Sequence, residues 1–336
     1  MHKTGTSSIQ VELTRARHLL AKKGFLYPAT GIPDWAPYGQ HVLPWSLVRN
    51  SDFVPGNVGE YEKASIAAPD NLWDTLRREI EESDLDSIIL SSEEFDILDK
   101  VALDQLALQM SDYEIRPIVF LRNLSDFVES GFGTDVMFSG TQIDIENFAR
   151  NQRSRIDFHQ LLTDWHSISS CGNLSIVSYD DQHLRADVVL TFLRLIGLNA
   201  DAIEPERLPF QNESSPAFVV EIIRHLRTLG AQPNDIDAWK SFFSSAPIRN
   251  DAKSRFTLLS NELRQQLDEQ YIQELESISA DSTLAGMVHG QLILPPSQRR
   301  LLISDVNSAL AAFAGELNGP NLVRAISESP IQLSPT

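Results

Sequence analysis

Apolar residues at Ile9, Leu13, Ala16, Leu19 and Leu20 recur at helical spacing from Ser7 to Lys23, and Gly24 marks the stop. Ser87 to Leu90 (SIIL), Ile115 to Leu121 (IRPIVFL) and Leu174 to Tyr179 (LSIVSY) are short apolar runs of the kind that form buried parallel strands. Each is followed by a helical pattern, the last from His183 to Leu195. Strands alternating with helices predict an α/β fold with a parallel sheet covered on both faces. Beyond Asn199 the strand signal fades, and Pro216 to Leu229, Asn234 to Phe243 and Thr257 to Ile278 read as amphipathic helices. The expected organisation is an α/β domain over residues 1–200 and a helical extension over 201–336 that completes or caps it. The tail after Glu328 is expected to be loose.

Composition narrows the possibilities. The chain has 336 residues, 42% of them hydrophobic and 22% charged, which suits a globular protein rather than a disordered one. With 28 Lys and Arg against 46 Asp and Glu, the net charge is -18, so a general nucleic-acid surface is excluded and any anion site must be local. The single cysteine, Cys171, permits no internal disulfide and fits a reducing compartment; it is assigned no role. No apolar stretch reaches membrane-spanning length and no signal-peptide pattern opens the chain, so a cytoplasmic location is expected. The eight histidines lack metal-ligand spacing, and no metal is expected.

The densest chemistry lies at the front, in His2-Lys3-Thr4-Gly5-Thr6-Ser7-Ser8-Ile9-Gln10. Gly5 permits close backbone approach, Lys3 brings a point charge, and Thr4, Thr6, Ser7 and Ser8 supply hydroxyls where a helix begins. The same residues also make a polar, well-capped helix start. A Walker A loop places its lysine after the second glycine, whereas Lys3 precedes Gly5, which removes the main support for an NTPase or kinase. A phosphate-cradling loop is ordinarily held by a buried strand before it, and here the loop follows Met1 directly; the expectation is that the true start lies upstream and Met1 is an internal methionine. The segment resembles the 5'-phosphosulfate loop of the sulfotransferase family, above all its bacterial branch. The resemblance implies a P-loop NTPase-like parallel sheet whose first strand is missing here. It also implies the co-substrate PAPS (3'-phosphoadenosine 5'-phosphosulfate), with Lys3, Thr4, Gly5, Thr6, Ser7 and Ser8 on its 5' side.

A second motif follows the strand ending at Leu121. Arg122 stands at the strand end and Ser130 eight residues later, in RNLSDFVES. On their own such residues are commonly a solvated helix start. Their spacing resembles the family's arginine and serine for the 3'-phosphate of PAPS, and a planar, permanently charged fork beside a hydroxyl suits a dianion.

The proton acceptor is open between two residues. Glu93, in SSEEF after Leu90, lies beyond a strand's C-terminal end, where open α/β sheets place ligands. Cytosolic family members carry a lysine-threonine-histidine run where this chain has Ser91, Ser92 and Glu93, and Ser91 with Glu94 also matches a capping box. His41 is the second candidate. It closes a loop rich in Gly, Pro and aromatic residues, and Trp35, Tyr38 and Trp45 around it offer faces on which a sugar ring could stack. Trp165 and His166 read as packing against the sheet, and Asn212, Glu213 and Ser214 as a helix cap.

The resemblance implies transfer of a sulfuryl group from PAPS to a hydroxyl acceptor, a small molecule or a glycan, with Lys3 stabilising the leaving phosphate and Glu93 or His41 as base. Two alternatives remain: a non-catalytic module that binds a nucleotide or a partner protein, and a P-loop nucleotide kinase, which needs a Walker lysine and Mg²⁺-binding carboxylates.

Overall fold

The computed structural model describes residues 4–34, 36–48, 70–152, 156–180, 187–199, 215–246, 255–292 and 300–316. Lys3, Trp35, the residues from Asn212 to Ser214, the tail after Glu328 and the side chain of Cys171 lie outside them. In chain order the first elements are α1 (Thr6–Arg15), α2 (Arg17–Lys22), β1 (Phe25–Leu26), α3 (Val42–Val48), α4 (Leu72–Ser83), β2 (Ser87–Ile88), α5 (Lys100–Gln109) and β3 (Ile118–Leu121). Next come α6 (Leu124–Thr134), α7 (Ile145–Asn151), α8 (Phe158–Ile168), β4 (Ser175–Ser178), α9 (Val188–Leu195), α10 (Ala217–Thr228) and α11 (Pro233–Ser245). The series ends with β5 (Phe256–Thr257), α12 (Asn261–Ala280), α13 (Ser282–Ala285), β6 (Val288–His289), β7 (Leu301–Leu302) and α14 (Val306–Glu316).

The chain is α/β, with short parallel strands in small sheets. It divides into two compact units: Met1–Asn123, Arg153–Asn212 and Gln270–Pro295 form the first, and Leu124–Gln152, Glu213–Glu269 and Pro296–Thr336 the second. Residues 124–152, placed by the sequence within the first 200, group with the C-terminal part.

The first unit carries the strands that the apolar runs predict. β1 pairs with β2 in parallel (Phe25 opposite Ser87), β3 with β4 (Ile118 opposite Ser175), and β4 with β6 (Ile176 opposite Val288). Helices cover both faces. Ile89, Phe120 and Val177 pack with Ile9, Leu13 and Leu20 of the first two helices and with Phe192 and Leu193 of α9. On the other face Ile88 and Leu90 lean on a cluster from α3, α4 and α5 that includes Leu43, Leu76 and Leu103. Alternate residues of one strand thus reach opposite faces, and each side is apolar because each is covered. Gly24 ends α2 in a left-handed conformation (φ 86°), which a glycine adopts without strain.

Several boundaries differ from the sequence pattern, two of them for a visible reason. β3 starts at Ile118 because the Ile115 amide is taken by Ser170 Oγ (2.9 Å) and the Arg116 side chain is exposed. The helix expected from Thr257 starts at Asn261, because Phe256 and Thr257 pair with Leu301 and Leu302 as β5 and β7 of the second unit. β1, β5, β6 and β7 are two residues each, too short for alternation to register. Among its described residues the second unit is otherwise mainly helical, around an aromatic core in which Phe218 meets Phe256 and Phe313 at ring separations of 5.5 and 6.0 Å.

Candidate functional site

Gly5 caps α1 with φ 78° and ψ 12°. A Cβ built there would lie 3.0 Å from Val188 Cγ1 and 3.2 Å from Tyr179 Cε2, so both the backbone angle and the available space call for glycine. The Gly5 carbonyl accepts the Ser8 and Ile9 amides at 3.1 and 3.3 Å, which starts the helix ladder and leaves the Thr6 and Ser7 amides at its open end. Thr6, Ser7 and Ser8 are half-buried, whereas Thr4 is fully buried. Of the loop hydroxyls, then, those of Thr6, Ser7 and Ser8 are open to a ligand.

Tyr179 links this loop to the second motif. Its amide donates to the Leu121 carbonyl at 2.7 Å, fastening the turn after β4 to the end of β3. The Arg122 guanidinium then sits 5.7 Å from the centre of the Tyr179 ring, a cation–π geometry worth about 0.5–2 kcal/mol depending on exposure. One Tyr179 ring therefore borders Gly5 and carries Arg122. The next residue, Asp180, is buried; its carboxylate accepts the Asn123 amide at 2.5 Å and the Tyr271 hydroxyl at 3.3 Å, holding the two turns in register. Burial, and then the Asp180 charge, push the Tyr271 hydroxyl far above its ordinary pKa. Ser130 lies in α6 of the second unit, half-buried, with its carbonyl accepting from Thr134 Oγ1 at 3.2 Å.

The two candidate bases share a cluster beyond β2. Glu93 opens a 3₁₀ turn (Glu93–Ile97) capped by Ser92, whose Oγ accepts the Glu94 amide at 3.1 Å; the cap is Ser92, not the Ser91 of the capping-box pattern. His41 Nδ1 lies 2.8 Å from Ser92 Oγ and 3.8 Å from Glu93 Oε2. Gln10 of α1 donates from Nε2 to Glu93 Oε2 at 2.9 Å. The His41 side chain is 3% exposed and that of Glu93 21%, so the carboxylate stands between the imidazole and solvent. The strut beneath is Gln40, whose amide donates to the Ser91 carbonyl (3.0 Å) and whose Oε1 accepts the Ser91 amide (2.8 Å). Tyr38 packs edge-on against His41, and its hydroxyl pKa is raised by burial and by the Glu93 charge. Trp45 is buried in α3 at 1% exposure and so offers no face for a sugar ring. Trp165 packs edge-on against Phe95.

The chain matches no protein-family model, no curated protein and no solved structure. The site is therefore defined by its own geometry, and two of its members were not singled out in the sequence. Tyr179 ends an apolar strand run and carried no chemical signal. Gln10 did carry one, since it is polar, lies on the buried side of an amphipathic helix and is fully buried with Oε1 lacking a hydrogen-bond partner. Among the described residues no helix is long and apolar enough to cross a membrane.

Proposed function

We propose that the chain transfers a sulfuryl group from PAPS to a hydroxyl acceptor, on a P-loop-type arrangement of its parallel strands. The observation that carries the proposal is the Tyr179 ring, bordered by Gly5 of the front loop and stacked by Arg122 of the second motif. Two segments far apart in sequence, each suited to a phosphate, meet at the C-terminal ends of β3 and β4, the edge at which open α/β sheets take ligands. The space over Gly5 is taken by Val188 and Tyr179, so that residue fixes the loop while the anion would be received by the free amides that follow it.

In this proposal the Thr6 and Ser7 amides and the hydroxyls of Thr6, Ser7 and Ser8 receive the 5'-phosphosulfate, and Arg122 the 3'-phosphate. Lys3 keeps the role that the resemblance implies. Glu93 serves as base: the acceptor oxygen forms its bond to sulfur, the bond from sulfur to the 5'-phosphate oxygen breaks, and the acceptor proton passes to the carboxylate. His41 is not the base in this proposal, because its ring is buried and its Nδ1 is engaged with Ser92 Oγ. A carbohydrate acceptor follows from family analogy alone.

Calorimetric titration of PAP (3'-phosphoadenosine 5'-phosphate), with ATP as comparator, tests the proposal. Preferential PAP binding is expected, weakened about tenfold to hundredfold in Arg122→Ala by loss of a charge-assisted contact. Equal affinity for the two nucleotides, or PAP binding unchanged in Arg122→Ala, would overturn it.

A further inference from the structure

Gly39 is buried, and its φ lies outside the left-handed region, so its backbone alone does not call for a glycine. The space beside it does. A Cβ built there would stand 2.7 Å from His41 Nε2, 2.8 Å from His41 Cε1 and 2.8 Å from Gln10 Oε1. Non-bonded heavy atoms settle at about 3.5–4.0 Å, so any side chain at this position displaces its neighbours. All three of these atoms belong to side chains of the Glu93 cluster.

The main chain around Gly39 is tied on both sides. The Tyr38 carbonyl accepts Thr14 Oγ1 at 3.2 Å and the Tyr27 hydroxyl at 2.5 Å, and the Gln40 amide donates to the Ser91 carbonyl at 3.0 Å. Thr14 lies one turn beyond Gln10 on α1, so the helix that fastens this segment also sends Gln10 against it. The segment is thus held from backing away, and what must move to admit a side chain is Gln10 or His41. Each has a contact to lose. Gln10 is fully buried: its Nε2 donates to Glu93 Oε2 at 2.9 Å, and the opposite end of the same amide, Oε1, is the atom that abuts Gly39. His41 is equally enclosed, with Nδ1 2.8 Å from the Oγ of Ser92, the cap of the turn that Glu93 opens.

We infer that Gly39 is a positioning residue for the Glu93 carboxylate. The side chain it lacks is the space in which Gln10 and His41 pack, and their contacts with Glu93 and Ser92 carry that space through to the place where the carboxylate stands. The importance of that place rests on Glu93 being the base, as proposed above; the packing itself involves neither PAPS nor an acceptor.

Gly39→Ala in the full chain tests the inference by hydrogen exchange of side-chain amides, which requires no turnover. The Gln10 Nε2 protons exchange about tenfold or more faster than in wild type, while the main-chain amide of Leu13 on the same helix stays within about twofold. A rescue separates positioning from a general need for glycine: Gln10→Ala removes one of the two side chains in the way, so the fall in thermal midpoint caused by Gly39→Ala shrinks to about half in the Gln10→Ala background. Unchanged Gln10 exchange in Gly39→Ala overturns the inference, and so does an equal fall in both backgrounds. If Gly39→Ala does not fold, recovery of a folded chain in Gly39→Ala/Gln10→Ala supports the inference and failure of both to fold overturns it. Loss of PAP binding specificity in wild type would instead overturn the sulfuryl-transfer reading, and the exchange result stands apart from it.

Discussion

Gln10 donates its side-chain amide to the Glu93 carboxylate at 2.9 Å, tying the first helix to the turn after β2. Its Oε1 is buried and accepts nothing, so the amide is held in place to serve the carboxylate and leaves one polar atom facing inward.

The Gln10–Glu93 pair separates the base from the group that positions it. Glu93→Gln is expected to lower turnover about 10²–10⁴-fold with PAP affinity within about twofold of wild type, since only the proton acceptor is lost. Gln10→Leu is expected to cost less, because it removes a donor to the carboxylate and leaves the carboxylate itself. Equal turnover in Glu93→Gln would return the role to His41 or remove it from this cluster.

Gly5→Ala combines a left-handed φ of 78° with a Cβ 3.0 Å from Val188 Cγ1. The strained backbone costs about 1–2 kcal/mol of stability, measured by urea unfolding. PAP affinity is expected to fall about tenfold or more through displacement of the Thr6 and Ser7 amides, measured by calorimetry. Stability lost with affinity intact would show that the loop is structural.

Asp180→Ala removes the acceptor of two buried donors, the Asn123 amide and the Tyr271 hydroxyl. The expected loss is about 2–4 kcal/mol in urea unfolding, against about 1 kcal/mol for Tyr271→Phe, which removes a donor and strands none. Similar losses in the two variants would mean that Asp180 does not hold the turns together.

Glu274 accepts the His159 amide at 2.8 Å, and its carboxyl pKa is raised above 4.5, first by burial. A raised folded pKa means that this group's contribution is complete below its unfolded pKa and is lost as pH rises through the folded one. Glu274→Gln keeps an acceptor for His159 without the charge, so its thermal midpoint is expected to exceed wild type at pH 7 and to converge with it toward pH 4. A constant difference across that range would show that the carboxyl charge is not the cause.

Much of the first unit was legible in local pattern. The SIIL, IRPIVFL and LSIVSY runs contain β2, β3 and β4 because a strand covered on both faces must be apolar at successive positions, and α1 with α2 followed the Ile9–Leu13–Leu20 stripe to Gly24. Short elements escaped: β5 and β7 hold together only because Thr257 and Leu302 pair across the second unit, a contact that leaves no trace in either two-residue segment. Trp45 gave the same signal as a stacking platform until α3 placed it inside.

The sequence by itself determined the alternation of strand and helix, the glycine at the start of α1 and the supply of an arginine at the end of β3, since each follows from the conformational preference of neighbouring residues. Tertiary structure alone decided that Tyr179 stands between Gly5 and Arg122, that Gln10 reaches Glu93 in front of a buried His41, and that the Gln10 and His41 side chains converge on Gly39. The reason is physical: periodicity says which side of an element is buried, but which buried sides meet is fixed by side-chain packing and main-chain pairing between segments distant along the chain.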